Sequence, residues 1–117
     1  MPTFLGIDIG TSSTKVIVAG DDGAVLASAT RPYPLHTPRA GWSEQDPEDW
    51  WRATLEAVRE AVGLMPKGTA PIAGVGMSGQ MHGLVLLPKG AGPQTPALRN
   101  AILWNDQRTA PQCEAIH

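Results

Sequence analysis

The residues best equipped for chemistry stand near the start, where a short apolar run carrying Asp8 meets the polar stretch Gly10-Thr11-Ser12-Ser13-Thr14-Lys15. In a tight turn of small residues, successive backbone amides form a concavity that binds anions. Gly10 lets the backbone approach closely, the hydroxyls of Thr11, Ser12, Ser13 and Thr14 add hydrogen bonds, and Lys15 adds a charge. Such a turn is a good physical solution for holding nucleotide phosphates. Asp8 is placed to position a hydrated magnesium ion on them, because Mg2+ keeps waters and favours carboxylate oxygens. The same residues also read as an ordinary hairpin in which the hydroxyls satisfy turn amides and Asp8 caps the loop.

Two other glycine patterns do not carry the chemistry they suggest. Gly74-Val75-Gly76-Met77-Ser78-Gly79 has the spacing of a dinucleotide fingerprint, which requires a following helix and an acidic residue about 20 positions on. The continuation Met81-His82-Gly83-Leu84-Val85-Leu86-Leu87-Pro88 is too short and β-prone for that helix, and no Asp or Glu occurs between Glu60 and Asp106. Gly10 to Lys15 is not a P-loop either, since Thr14 replaces the glycine before the lysine and a strand follows.

The elements that must position these residues follow from periodicity and punctuation. Phe4 to Ile9 and Thr14 to Ala19 read as strands joined into a hairpin over 4–20. Asp21-Asp22-Gly23 then turns the chain into a third strand over 24–33, giving an antiparallel meander. Pro34 to Gln45 has loop composition. A helix is expected over 46–62: Asp46 caps it, Pro47 suits its first position, Glu48 and Asp49 complement its dipole, and Gly63 closes it. Its apolar stripe is read as Trp51, Thr54, Leu55, Val58, Ala61 and Val62. Further short strands are expected at Ile72 to Met77, Leu84 to Leu87 and Ala101 to Trp104. Asn105 or Asp106 would cap a last helix starting near Thr109, and the gap from Leu64 to Ile72 is the candidate hinge.

Composition sets the class. With 117 residues, 42% hydrophobic and 17% charged, the chain is long enough for one domain and well away from the disordered range. Nine basic against eleven acidic residues, the basic ones scattered singly, argue against nucleic acid as a partner. No apolar run reaches the roughly 18 residues of a membrane span and no signal-peptide pattern opens the chain, so the expectation is a cytoplasmic protein with no membrane partner. Cys113 is the only cysteine, which leaves no intrachain disulfide or cysteine cluster.

GIDIGTSSTK resembles the first phosphate motif of the actin-like ATPase superfamily. Three later segments, WSEQDPEDWW at 42–51, SGQMHG at 78–83 and ILWNDQR at 102–108, narrow the resemblance to the FGGY carbohydrate kinases, in particular their xylulokinase branch. It runs from about Gly6 to Cys113. It implies an α/β, RNase H-like fold, here the amino-terminal part of the first FGGY domain, in which the meander continues into a mixed sheet. It implies ATP and Mg2+ as cofactors and a ketopentose, D-xylulose, as substrate. Other FGGY substrates (ribulose, gluconate, fuculose, glycerol) are the runner-up, and a non-catalytic binding or assembly module is the alternative from another class.

By position, the resemblance assigns Asp8 to the metal and phosphate centre and Thr11, Ser12, Ser13 and Thr14 to the nucleotide phosphates. It assigns Met81 and His82 to the sugar. A thioether against the carbon face and an imidazole beside a hydroxyl suit a polyol. Trp104, Asn105 and Asp106 are candidates for the same sugar, with a plain helix cap as the competing role for Asn105 or Asp106. Trp42, Trp50 and Trp51 are read as packing residues. In the family the general base is an aspartate beyond the segments matched here and the second domain comes later, so the 117 residues alone are expected not to turn over. A truncated sheet with an open edge is expected to favour self-association.

Overall fold

Alternation of buried and exposed residues shapes the first sheet: in the second strand Thr14, Val16 and Val18 are buried while Lys15 between them is exposed. The computed structural model describes residues Met1–His117. In chain order the elements are β1 (Thr3–Ile9), β2 (Ser13–Gly20), β3 (Val25–Pro32), β4 (Glu44–Gln45), α1 (Pro47–Gly63), β5 (Ile72–Gly79), β6 (Ala101–Ile102) and α2 (Ala110–Ile116). They fall into two compact units, Met1–Tyr33 with Trp50–Gln80 and Pro34–Asp49 with Met81–His117. No helix is long and apolar enough to cross a membrane.

The first unit holds a mixed four-stranded sheet in the order β3-β2-β1-β5. β1, β2 and β3 form the expected antiparallel meander, and β5 returns parallel to β1. The segment 74–79 that carries the dinucleotide-like spacing lies inside strand β5, which is incompatible with a phosphate-binding turn there. Leu5, Val16, Val18 and Ala29 on the sheet pack with Ala57 and Ala61 of α1 into one apolar cluster. The gap 64–72, read from sequence as a hinge, lies within this unit, and the division between units falls elsewhere.

Helix α1 begins as its sequence dictates: the Asp46 carboxylate accepts the Glu48 amide at 3.0 Å. Its buried face differs from the expected stripe. Ala53, Thr54, Ala57 and Ala61 are buried, whereas Trp51 is 64% exposed and Val62 is also exposed. The face that packs in the cluster with the sheet is therefore the one lined with alanines.

The second unit has little regular structure. β4 pairs antiparallel with β6, two residues each, within a region that had read as loop on one side and as a four-residue strand on the other. The expected strand at Leu84 to Leu87 is absent. Leu84 alone bridges to Ile102: in that antiparallel register residues 85–87 run opposite 99–101, where the chain bends at 98–99 and no strand extends before Ala101. α2 starts at Ala110 with no side-chain cap, so neither Asn105 nor Asp106 serves that purpose.

Candidate functional site

In the first unit, the register Ile9↔Thr14 and Asp8↔Lys15 closes the β1–β2 hairpin over Gly10, Thr11 and Ser12. The Gly10 amide donates to the Ser13 carbonyl at 2.9 Å. Tyr33, at the end of β3, fixes the tip twice: its hydroxyl donates to the Gly10 carbonyl and its amide donates to the Ser12 carbonyl at 3.2 Å. The Gln80 amide donates to the Ile9 carbonyl at 2.8 Å, and the Thr11 hydroxyl lies 3.4 Å from the Gln80 side-chain oxygen. Gly79 sits so close to Ile9 that an added Cβ would stand 2.9 Å from its carbonyl oxygen, which explains why the last residue of β5 has no side chain.

The predicted phosphate residues separate onto two faces. Asp8, Ser12 and Lys15 are exposed and Thr11 and Ser13 are half-buried. Asp8 and Lys15 line an open recess of about 480 Å3 on the sheet, together with Gly6, Ile17, Gly76 and Ser78. Thr14 departs from expectation: it is 0% exposed and its hydroxyl lies 3.2 Å from that of Thr54 on α1. Strand alternation turns Thr14 to the helix side and Lys15 to the open side, so in this structure the Thr14 hydroxyl faces Thr54.

Asp8 is the only carboxylate lining the recess, and no group of three or more His, Cys, Asp or Glu side chains is gathered anywhere in the chain. One exposed carboxylate suits Mg2+, which is held by one or two carboxylates plus substrate phosphates and retains waters. It does not suit a structural metal with an all-protein cage.

In the second unit the segments carrying the predicted sugar residues are joined by a backbone bridge. Leu84 and Ile102 exchange hydrogen bonds in both directions, at 2.8 and 3.1 Å, which brings the Met81-His82-Gly83 loop beside the 103–106 segment. His82 has a φ of +62°, the only non-glycine residue with positive φ. Met81 is 71% exposed. The Asp106 amide donates to the Leu103 carbonyl at 3.1 Å, closing a turn whose two central residues are Trp104 and Asn105. Trp104 is 55% exposed, and the Asn105 Oδ1 is buried without a hydrogen-bond partner.

Asp106 is placed differently from those two: its side chain is 2% exposed and its oxygens are engaged. Oδ2 accepts the Ser43 amide at 2.7 Å, Oδ1 accepts the Arg108 amide at 2.9 Å, and the Arg108 guanidinium grips both oxygens at 2.8 to 3.0 Å. Arg108 also donates to Glu44 at 2.6 Å, as does Arg99, and lies 3.7 Å above the ring of Trp42. Arg39 is 4.9 Å from the same ring centroid, so Trp42 is the hub of an arginine cluster as well as a packing residue. The Arg108 hydrogen bond holds the Asp106 carboxyl at about 2, and the same arginine, aided by Arg99, holds Glu44 below the usual carboxylate range.

Sequence reasoning missed the supporting residues: Tyr33, Thr54 and Gln80 around the hairpin, and Trp42, Ser43, Glu44, Arg99 and Arg108 around the turn. Several of the pairings span 23 to 69 positions, from Tyr33 with Gly10 to Thr11 with Gln80, so they cannot be read locally, although Trp42, Ser43, Glu44, Gln80 and Arg108 themselves lie inside the segments 42–51, 78–83 and 102–108.

Comparison with known proteins bears on this arrangement. The chain is 49% identical over 113 residues to xylulose kinase of Bacillus subtilis (strain 168) and 44% identical over 113 residues to xylulose kinase of Escherichia coli (strain K12). Each alignment covers 97% of this chain and 22% of the relative, so the chain spans about a fifth of the proteins it matches. The crystal structure of xylulose kinase from Rhodospirillum rubrum superimposes with a TM-score of 0.89 at 29% identity, over 97% of this chain and 22% of that one. Sequence motifs, sheet topology and structural likeness agree on an actin-like ATPase fold. Residues 3–117 match the N-terminal domain of the FGGY family of carbohydrate kinases, and the chain belongs to that family.

Proposed function

We propose that this chain forms part of an ATP-dependent sugar kinase that phosphorylates a ketopentose, with D-xylulose as the substrate and D-xylulose 5-phosphate as the product. The observation that carries the reading is that, within one unit, the Met81-His82 loop lies beside a turn that exposes Trp104 and holds the Oδ1 of Asn105 buried without a hydrogen-bond partner. An exposed ring and an exposed thioether on neighbouring segments suit a polyol, which has apolar C–H faces. The names of the relatives support xylulose among the possible sugars.

In this reading Gly10, Thr11, Ser12, Ser13 and Lys15 hold the nucleotide phosphates and Asp8 orients the magnesium ion through water. Magnesium bound to the triphosphate would neutralise charge on the transferring group. The sugar hydroxyl oxygen forms the new bond to the γ-phosphorus, the bond to the ADP oxygen breaks, and the hydroxyl proton passes to a carboxylate base. Asp8 is committed to the phosphates and Asp106 to Arg108, so the 117 residues alone are expected to show no turnover.

The test is a substrate screen of the complete kinase carrying this sequence, with D-xylulose, D-ribulose, gluconate, L-fuculose and glycerol as acceptors. ADP formation highest with D-xylulose supports the assignment. Turnover of another acceptor but not D-xylulose moves it to that substrate, and ATP-binding without turnover of any would favour a non-catalytic module.

A further inference from the structure

Asp106 belongs to the same short segment as Trp104 and Asn105, yet its surroundings differ from theirs. Trp104 and Asn105 occupy the two central positions of the 103–106 turn, Trp104 exposed and Asn105 half-buried. Asp106 closes the turn and is sequestered. Both ends of the turn are fastened to Ser43: the Leu103 amide donates to the Ser43 carbonyl at 3.0 Å, and the Asp106 carboxylate accepts the Ser43 amide at 2.7 Å. One residue further, the Gln107 amide donates to the Gly41 carbonyl at 2.7 Å. Arg108 then bridges Asp106 and Glu44 while lying on Trp42. The segment 41–44 is thus a rail to which the turn is bolted on both sides.

We infer that Asp106, Arg108, Glu44 and Trp42 are positioning residues, which fix the backbone of the 103–106 turn so that Trp104 and Asn105 meet the sugar in one orientation, and that Asp106 does not touch the sugar. The inference rests on the sugar-kinase reading for its functional half and on the geometry above for its structural half. Short turns exchange among conformations unless tied down, and a displacement of about 1 Å in a positioning group costs up to a hundredfold in rate. The bidentate guanidinium–carboxylate pair supplies the required geometric specificity, since its two parallel bonds fix orientation as well as distance. Lysine in place of Arg108 keeps the charge and loses both the fork and the flat face against Trp42.

Two measurements test this. In the 117-residue chain, Asp106→Asn and the milder Arg108→Lys should speed amide exchange at Leu103, Asp106 and Gln107 by about tenfold or more, leaving Gly10 and Tyr33 unchanged. Unchanged exchange at those three amides, or an equal rise along the whole chain, overturns the structural half. In the complete kinase, each substitution should raise the sugar KM about ten- to a hundredfold with the ATP KM unaltered, and Asp106→Asn combined with Glu44→Gln should be no worse than Asp106→Asn alone. Multiplying effects would mean that Asp106 contacts the sugar itself, which sinks the positioning role. A wild-type kinase inactive on every sugar overturns the kinase reading, and the exchange result then decides the structural half by itself.

Discussion

The hairpin of the first unit and the turn of the second are both short loops offering polar atoms, and they are held by opposite means. Strand register, neutral hydrogen bonds from Tyr33 and Gln80, and an apolar cluster beneath fix the hairpin. Charge fixes the turn: two carboxylates, two arginines bonded to them and an indole face, with only two residues of paired strand on each side. A loop continuous with a sheet inherits rigidity from the ladder, whereas a loop without one needs side-chain bonds of its own. The two should therefore fail under different insults.

The largest separation is expected from the core. Leu5→Ala removes a buried side chain from the sheet–helix cluster and should lower stability by about 3 kcal/mol, read from urea denaturation. The loss should appear at the amides of β1 and β2 before it appears at Ser43 or Leu103. Equal loss at both sets would mean that the two units unfold as one and would break the comparison.

Acid should discriminate in the other direction. The Asp106 carboxyl titrates at about 2 in place of 3.8 because Arg108 favours its charged form. A depressed folded value gives stability that is complete above the ordinary value and lost as pH falls through the folded one, so the turn should loosen between about pH 4 and pH 2. The Ser43 amide resonance reports this directly, and it should keep its position on acidification if the carboxylate has been replaced in Asp106→Asn. The Tyr33 phenol moves the opposite way: burial raises its value, so the contribution is intact below the ordinary phenol range and is lost on the alkaline side. Tyr33 is the only tyrosine, which makes phenolate absorbance a clean probe of the hairpin tip.

A smaller effect is expected from Tyr33→Phe, which deletes the hydroxyl bond to the Gly10 carbonyl and keeps the ring. The loss should be about 1 kcal/mol, the net worth of one neutral hydrogen bond. In titration calorimetry, magnesium–ATP affinity for the complete kinase should weaken while sugar affinity stays constant. A fall in sugar affinity alone would reverse the assignment of the two loops.

The same contrast explains what could be read from the sequence. β1, β2, β3, α1 and the cap by Asp46 were legible because periodicity, Gly23 and Pro47 are local signals. Strand alternation makes the exposure of Lys15 legible too, whereas the side to which the Thr14 hydroxyl turns depends on Thr54, 40 positions away. Leu84 to Leu87 has the residues of a strand but no partner strand, and partners are a tertiary fact. The charged cluster was illegible: Glu44, Arg99 and Arg108 look like solvated surface residues until the fold brings them together. Trp51 misled in reverse, since an aromatic residue at helical spacing implies a core that the alanine face fills instead.

The smallest effect, and the one that separates structure from chemistry most sharply, lies at His82. Its φ of +62° places a side chain in the left-handed region, which costs an ordinary residue about 1 kcal/mol and glycine almost nothing. If the backbone shape alone matters, His82→Gly and His82→Asn should preserve function, because glycine and asparagine adopt that conformation readily. If the imidazole contacts the sugar, both should raise the sugar KM while equalling or exceeding the wild type in thermal stability, and His82→Ala should lose in both respects. We expect the second pattern: His82 carries a Cβ and an imidazole at a strained position beside the 103–106 turn, where glycine would relieve the strain. Stability ordered Gly, Asn, His, Ala with sugar affinity highest for His would mark strain retained for binding, and full sugar affinity in His82→Asn would reduce His82 to a turn residue.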